Sequence, residues 1–213
     1  MAAPEVYPTA RGPLPRLAEP FASRARARRH ARFLKLVAPS PQMRIVDIGC
    51  GSPGLRGLEP EFDITGVDLA PRLGYPGPLV VADASEGLPF ADGEFDLAYC
   101  NSVIEHVPPA RRAAFAAELR RVARGWYVQT PARSFPIEPH SLLPGAHWLP
   151  PALRRGYWRL GADGDWEEVV MLSRRELEAL FGPAERERFG PFTKSWISLR
   201  RPGDEPELSR RAG

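Results

Sequence analysis

Short apolar runs that close on glycine or on an acidic residue recur along the chain. Met43–Ile48 is the first, a mostly apolar run ending in a glycine cluster, as a strand buried in a parallel sheet would. Asp63–Leu69, Leu79–Ala82, Phe95–Cys100 and Trp126–Thr130 repeat the pattern. Around them the spacing turns helical. Residues 17–37 place Leu17, Phe21, Ala25, Phe33, Leu36 and Val37 as apolar positions of a helix that Pro39 and Pro41 end. Pro109–Arg124 sets Phe115, Leu119 and Val122 on one side of another helix. Strands alternating with helices or loops predict βαβ units and a mostly parallel, doubly wound α/β sheet.

The rhythm breaks after Thr130. Residues 131–165 are rich in proline, glycine and aromatics without clean periodicity, far longer than an ordinary connection, which marks an insertion that is either functional or mobile. Regularity returns at Ser173–Phe181, a short helix whose N-cap is Ser173 and whose Glu176 completes a capping box. Arg186–Phe189 and Ser195–Arg200 are expected to be the last strands, antiparallel at the sheet edge, giving seven in all. Residues 1–15, with four prolines, and 202–213 read as tails.

Composition adds little. A chain of 213 residues with 43% apolar and 26% charged residues suits one soluble domain. No apolar run nears the roughly 20 residues of a membrane span. The stretch Met1–Pro20 has no apolar core of signal-peptide length, so a cytoplasmic location is expected. Cys50 and Cys100 lack metal-ligand spacing, and a disulfide is not expected. Of 29 basic residues only Lys35 and Lys194 are lysine, and with 25 prolines this reads as a chain-wide bias rather than a nucleic-acid footprint. The one dense cluster, Arg24, Arg26, Arg28, Arg29, Arg32 and Lys35, spreads over several helix faces and is read as solvated.

Candidate chemistry begins at Val46-Asp47-Ile48-Gly49-Cys50-Gly51-Ser52-Pro53-Gly54. A strand runs into a glycine turn, the place where open α/β sheets bind ligands. Gly49, Gly51 and Gly54 also satisfy a dinucleotide spacing, so a nicotinamide-dependent oxidoreductase is the first rival. Asp47 argues against it: a carboxylate at this turn attracts the sulfonium and ammonium of S-adenosylmethionine (SAM) and would repel a pyrophosphate. Asp68, ending the second strand, can accept from both ribose hydroxyls and suits either cofactor.

Three segments together resemble the class I SAM-dependent methyltransferases of the type 11 group. They are Val46–Gly54, Ala82-Asp83-Ala84-Ser85-Glu86-Gly87-Leu88-Pro89-Phe90-Ala91-Asp92-Gly93-Glu94-Phe95-Asp96, and Asn101-Ser102-Val103-Ile104-Glu105-His106-Val107. The resemblance covers residues 43–131 well and the rest loosely. It implies a Rossmann-like sheet of seven strands, mostly parallel with an antiparallel last strand, in a single domain. It implies a SAM-binding core over 43–131, an N-terminal helix over 17–38 serving as a lid, and a substrate-side insertion over 131–165.

The roles the resemblance implies are specific. Asp47, Gly49, Cys50 and Gly51 would line the methionine moiety, and Asp68 would hold the ribose hydroxyls with Leu69 against the adenine. Asp83 would accept from the adenine amino group, Ala84 would present its N–H, and Asn101 and Ser102 would lie beneath the methionine end. His106 is a candidate general base. Some relatives carry Glu-x-x-Glu-His and bind a divalent ion; here Ser102 takes the first glutamate position, only Glu105 and His106 remain, and no metal is expected.

Within the insertion, the stretch from Arg133 to Pro150 resembles a segment of bacterial type 11 enzymes linked to glycan or lipid modification. Its Glu138 and His140 are ionisable groups in an otherwise apolar, proline-stiffened stretch and join His106 as catalytic candidates, the two histidines expected on opposite walls of one pocket. Trp148, Tyr157, Trp158 and Trp166 either cap an apolar acceptor or pack the insertion down. The expected reaction is methyl transfer from SAM to an oxygen of a small-molecule, lipid or glycan acceptor. RNA or protein methylation, and an inactive SAM-binding partner subunit, are the remaining alternatives.

Overall fold

The computed structural model describes residues 24, 27–161 and 169–204. Helix α1, over 27–37, precedes strand β1 (Arg44–Ile48), helix α2 (Gly54–Leu58), β2 (Asp63–Asp68), β3 (Leu79–Val81) and β4 (Phe95–Asn101). Helix α3 (Arg112–Val122), β5 (Ala123–Pro131), α4 (Pro151–Trp158), α5 (Arg174–Phe181), β6 (Ala184–Phe189) and β7 (Phe192–Arg200) follow. The seven strands form one sheet in the order β3-β2-β1-β4-β5-β7-β6. The first five are parallel, and β7 runs antiparallel to both β5 and β6. The antiparallel strand is therefore interior, and β6 forms the edge.

Alternate residues of each strand serve opposite faces. Ile45, Leu97, Tyr127 and Ile197 pack with Phe33 and Val37 of α1 and Leu55 of α2. Val46, Ala98 and Val128 pack with Phe115 and Leu119 of α3 and Leu177 and Phe181 of α5. A sheet covered on both faces explains the short, nearly continuous apolar runs. The capping box on α5 forms as expected: Ser173 Oγ accepts from Glu176 N and Glu176 accepts from Ser173 N.

Two elements differ from expectation. The proline-rich insertion contains helix α4, begun by Pro151 at its first position, where a missing N–H costs nothing. Helix α1 is less a flap than part of the core. Phe33 is fully buried, its ring edge-on to Tyr99 at 4.9 Å and to Tyr127 at 5.3 Å. Leu17 and Phe21, the other apolar positions assigned to this helix, lie outside the described residues.

Phe33→Ala is expected to cost about 3–5 kcal/mol, the range for emptying a buried aromatic site. Urea denaturation without ligand measures it. A variant as stable as the wild type would return α1 to a peripheral role.

Candidate active site

Strand order reverses beside β1, which pairs with β2 on one side and β4 on the other. The turns after β1, β2, β3 and β4 therefore open on one edge, and they surround a cleft of about 530 Å³. Gly49 and Gly51 line it, both with left-handed backbone (φ 67° and 60°). A Cβ on Gly49 would stand 2.5 Å from Val103 Cγ2, whereas one on Gly51 would meet no protein atom within 4 Å. The first glycine is needed for packing, and the second leaves space that a ligand can fill. The turn is held by Gly49 N and Cys50 N, both donating to Val67 O at the end of β2.

Asp68 lines the cleft. Its Oδ2 accepts from Gly51 N at 3.0 Å and its Oδ1 from Arg72 Nη2 at 2.7 Å. Burial alone would raise its pKa, but the Arg72 guanidinium and the Gly51 N–H outweigh burial and hold it below the usual carboxylate value. Leu69, 71% exposed, presents an apolar face beside it, as an adenine platform would. Asp83 and Ala84 line the same cleft. Asp83 Oδ1 closes a turn by accepting from Ser85 N and Ser85 Oγ, and its Oδ2 lies 3.5 Å from Arg111. Ser102 lines the floor with a left-handed φ of 57°, uncommon outside glycine and typical of sites where backbone strain is retained for function.

Three of the expected cofactor residues are not on the cleft wall. Asp47 is buried, and its Oδ2 accepts from Leu55 N at 2.8 Å, so it organises the start of α2 from behind the turn. The Cys50 thiol turns toward β2, and burial together with the Asp47 and Asp68 charges pushes it up to about 12. Asn101 ends β4 with its Oδ1 buried and without a hydrogen-bond partner. Both cysteines are free.

Residues unmarked in the sequence complete the cleft. Arg72 holds the Asp68 oxygen that the ribose would use. Arg29 reaches from α1, its Nη1 3.3 Å from Ser102 Oγ, and Ser102 Oγ donates to Gln129 Oε1 at 3.0 Å. The cationic end of Arg29 thus stands beside Ser102, which lines the cleft. With Arg32 paired to Glu185 and donating to Arg186 O, the basic helix is not simply a solvated face. For Arg29 and Arg32, contacts between distant segments alone reveal these roles.

His106 lines the cleft beyond Ser102. The insertion brings His140 against it, with Nε2 to Nε2 at 3.1 Å and the rings edge-to-face. The two histidines therefore form one cluster rather than opposing walls. Glu138, 1% exposed, accepts from His140 Nδ1 at 2.7 Å, from the N–H groups of His140 and Ser141, and from Ser141 Oγ. Burial pushes its pKa up, but the His140 contacts and the Ser141 bonds prevail and keep it ionised. The neighbouring Glu105 is fully buried, with Thr130 Oγ1 donating to its Oε2. Val170 N donates to the Glu105 carbonyl, and Arg112 bonds the carbonyls of Val107 and Val170, so the turn after β4 is fixed from below. Of the insertion aromatics, Trp158 is buried, Tyr157 is half-buried, and Trp148 is exposed with its Nε1 donating to Arg133 O. Trp166 lies outside the described residues.

A parallel sheet with a reversed strand between β5 and β6 departs from the dinucleotide order 3-2-1-4-5-6 and is the class I methyltransferase arrangement. Residues 46–125 match a family model described as a methyltransferase domain. No curated protein matches the chain. Among solved structures, a protein from Pyrococcus horikoshii OT3 is similar at 17% identity over 84% of this chain and 91% of its own, with TM-score 0.57. The 1,6-didemethyltoxoflavin-N1-methyltransferase of Burkholderia thailandensis, solved with S-adenosylhomocysteine (SAH), is similar at 15% identity over 82% of this chain and 76% of its own, with TM-score 0.51. A SAM-dependent methyltransferase from Archaeoglobus fulgidus matches 51% of this chain at 22% identity and TM-score 0.44, and the chain spans only 54% of its length. The chain carries a methyltransferase domain over residues 46–125 within a Rossmann-like methyltransferase fold. Its cofactor is SAM, and the cleft volume, the open side of Gly51 and the ionised Asp68 fit that ligand.

Asp68→Ala is expected to weaken SAH binding about tenfold or more, because a charge-assisted acceptor is lost. Calorimetry reads this, and unchanged affinity would sink the ribose assignment. Asp47 generates a second prediction. Burial, opposed by the Leu55 N–H and reinforced by the Asp68 charge, pushes its pKa from the ordinary 3.8 to about 7. A carboxyl raised on folding holds its proton more tightly in the native state, so stability is highest at the acid end and falls as pH rises from about 4 to 7. Asp68 is shifted the opposite way and titrates below this window. Asp47→Asn should flatten the fall in urea midpoint between pH 5 and 8. An unchanged slope would show that Asp47 ionises freely.

Proposed function

We propose that this enzyme transfers the SAM methyl group to a hydroxyl oxygen of a small-molecule, lipid or glycan acceptor. The observation that carries this reading is the array Glu138–His140–His106, which links an ionised, buried carboxylate through one imidazole to a second imidazole on the cofactor cleft. Nitrogen and carbon nucleophiles that are neutral and unprotonated need no base, whereas a hydroxyl does.

The tautomers follow from the hydrogen bonds. Ionised Glu138 can only accept, so His140 carries its proton on Nδ1 and offers a lone pair at Nε2. His106 then donates from Nε2, and its Nδ1 is the basic atom. In the reaction the acceptor oxygen forms a bond to the methyl carbon while the carbon–sulfur bond breaks. That electron pair stays on sulfur, giving SAH, and the hydroxyl proton passes to the imidazole pair. Ionised Glu138 stabilises the imidazolium so formed. The remaining catalysis is alignment of oxygen, carbon and sulfur, worth several kcal/mol.

Two observations weigh against an RNA or protein acceptor. The basic helix spends Arg29 and Arg32 on internal partners. Of the insertion's ionisable groups, Glu138 and His140 are the pair brought to the cleft edge beside His106. Among the described residues no helix is long and apolar enough to cross a membrane.

His106→Ala and His140→Ala are each expected to lower kcat by about 10²-fold or more with SAH affinity nearly unchanged. Methyl transfer from labelled SAM to a panel of phenols, sugars and hydroxylated lipids, with amines alongside, tests the reading. Transfer to amines alone, indifferent to both histidines, would replace it with N-methylation.

A further inference from the structure

The cluster beside the cleft has a capacity that base catalysis does not use. Among the described residues, Glu105, His106 and His140 each direct a ligand-type atom into one space, with all three atoms within 4.8 Å of one another. Glu105 and His106 come from the turn after β4, and His140 comes from the insertion, 34 residues further on.

Three features make this more than a crowd of polar groups. The first is spacing. Two nitrogens bound to one ion at roughly 2.0–2.1 Å with angles of about 90–110° lie roughly 2.9–3.4 Å apart, and the two Nε2 atoms stand at 3.1 Å. The second is an orphan. Glu105 is fully buried, Thr130 satisfies its Oε2, and its Oε1 has no hydrogen-bond partner. A buried carboxylate oxygen without a donor is a position that a cation would satisfy. The third is support. His140 gives its Nδ1–H to buried Glu138, which fixes the ring and presents Nε2, the arrangement that orients metal-binding histidines.

We infer that Glu105, His106 and His140 form a binding site for one divalent first-row transition ion, with Glu138 orienting His140 from behind. Two imidazoles and one carboxylate select an ion of the zinc or manganese kind over magnesium. Glu105 closes the site by moving in by roughly an ångström, since bonds of about 2 Å require shorter separations than the widest one here. Three protein ligands leave positions open, and His106 places them on the cofactor cleft, within reach of an acceptor's oxygen atoms. On loading, the His106 proton would move from Nε2 to Nδ1, and a bound ion would lower the pKa of the acceptor hydroxyl, whose proton would then leave to solvent.

Only the use of the ion rests on the methyl-transfer reading; its binding does not. The test is therefore made on untagged, chelator-stripped protein saturated with SAH and given no acceptor. Titration with Zn²⁺, and with Mn²⁺ followed by electron paramagnetic resonance, should show one ion per chain, with Mg²⁺ far weaker. Glu105→Gln and His140→Ala should each weaken binding by about tenfold or more, while His147→Ala, whose imidazole bonds Arg133 O outside the cluster, should leave it unchanged. SAH affinity measured on every variant confirms an intact fold. Stripped wild type that takes up neither Zn²⁺ nor Mn²⁺ at millimolar concentration would overturn the inference. So would variants at Glu105 and His140 that bind as the wild type does. An enzyme that binds the ion yet methylates no hydroxyl would refute the acceptor reading and leave the metal site standing.

Discussion

The site depends on how the turn after β1 is tied to the end of β2. Gly49 and Cys50 donate to the Val67 carbonyl, and Gly51 donates to the Asp68 carboxylate. These bonds hold two glycines in left-handed backbone and bring the Asp68 carboxylate to the same point as the open face of Gly51. The conformation is affordable only without side chains: a Cβ on Gly49 would collide with Val103, which follows β4. The turns after β1, β2 and β4 are thus coupled.

Much of this was legible in the sequence, for a simple reason. Strands buried on both faces must be apolar nearly throughout, so their ends show as the points where Gly49, Asp68, Asp83 and Asn101 interrupt the runs. The capping box at Ser173 and Glu176 was legible because it is local. Helix α4 was missed because its start is marked by prolines, which read as loop until Pro151 is recognised as a first helical residue. The absence of Asp47 from the cleft wall follows from strand alternation. Asp47 shares its side of β1 with Ile45, which faces α1 and α2, so its carboxylate lies behind the turn. A motif shows which residue is present and not which way it faces.

Contacts between distant segments were the least legible. Arg29 meets Ser102 across 73 positions and His106 meets His140 across 34. Reading Glu105 and His106 as an incomplete ligand pair was sound within the local motif. The insertion supplies a third group that no local spacing could indicate, and with it the meaning of Ser102 changes. A serine there need not signal a lost site if the missing ligand arrives from elsewhere in the chain.

Charge placement separates the two ends of the site. At the cofactor end the carboxylates behave differently: Asp68 is kept ionised by Arg72 and Gly51, while burial pushes the Asp47 carboxyl up to about 7. Two fully ionised carboxylates so close would repel, and the fold limits this by burying one of them deeper. At the acceptor end Glu138 is kept ionised by its four hydrogen bonds, whereas burial raises the pKa of Glu105 despite the nearby His140. Each end therefore pairs a committed anion with a carboxyl whose charge depends on what occupies the site. A cationic cofactor at one end and a cation or proton at the other would each favour ionisation of the nearby undecided carboxyl. The wall between them is the short turn from Ser102 to His106, held by Arg112 and by the segment before α5.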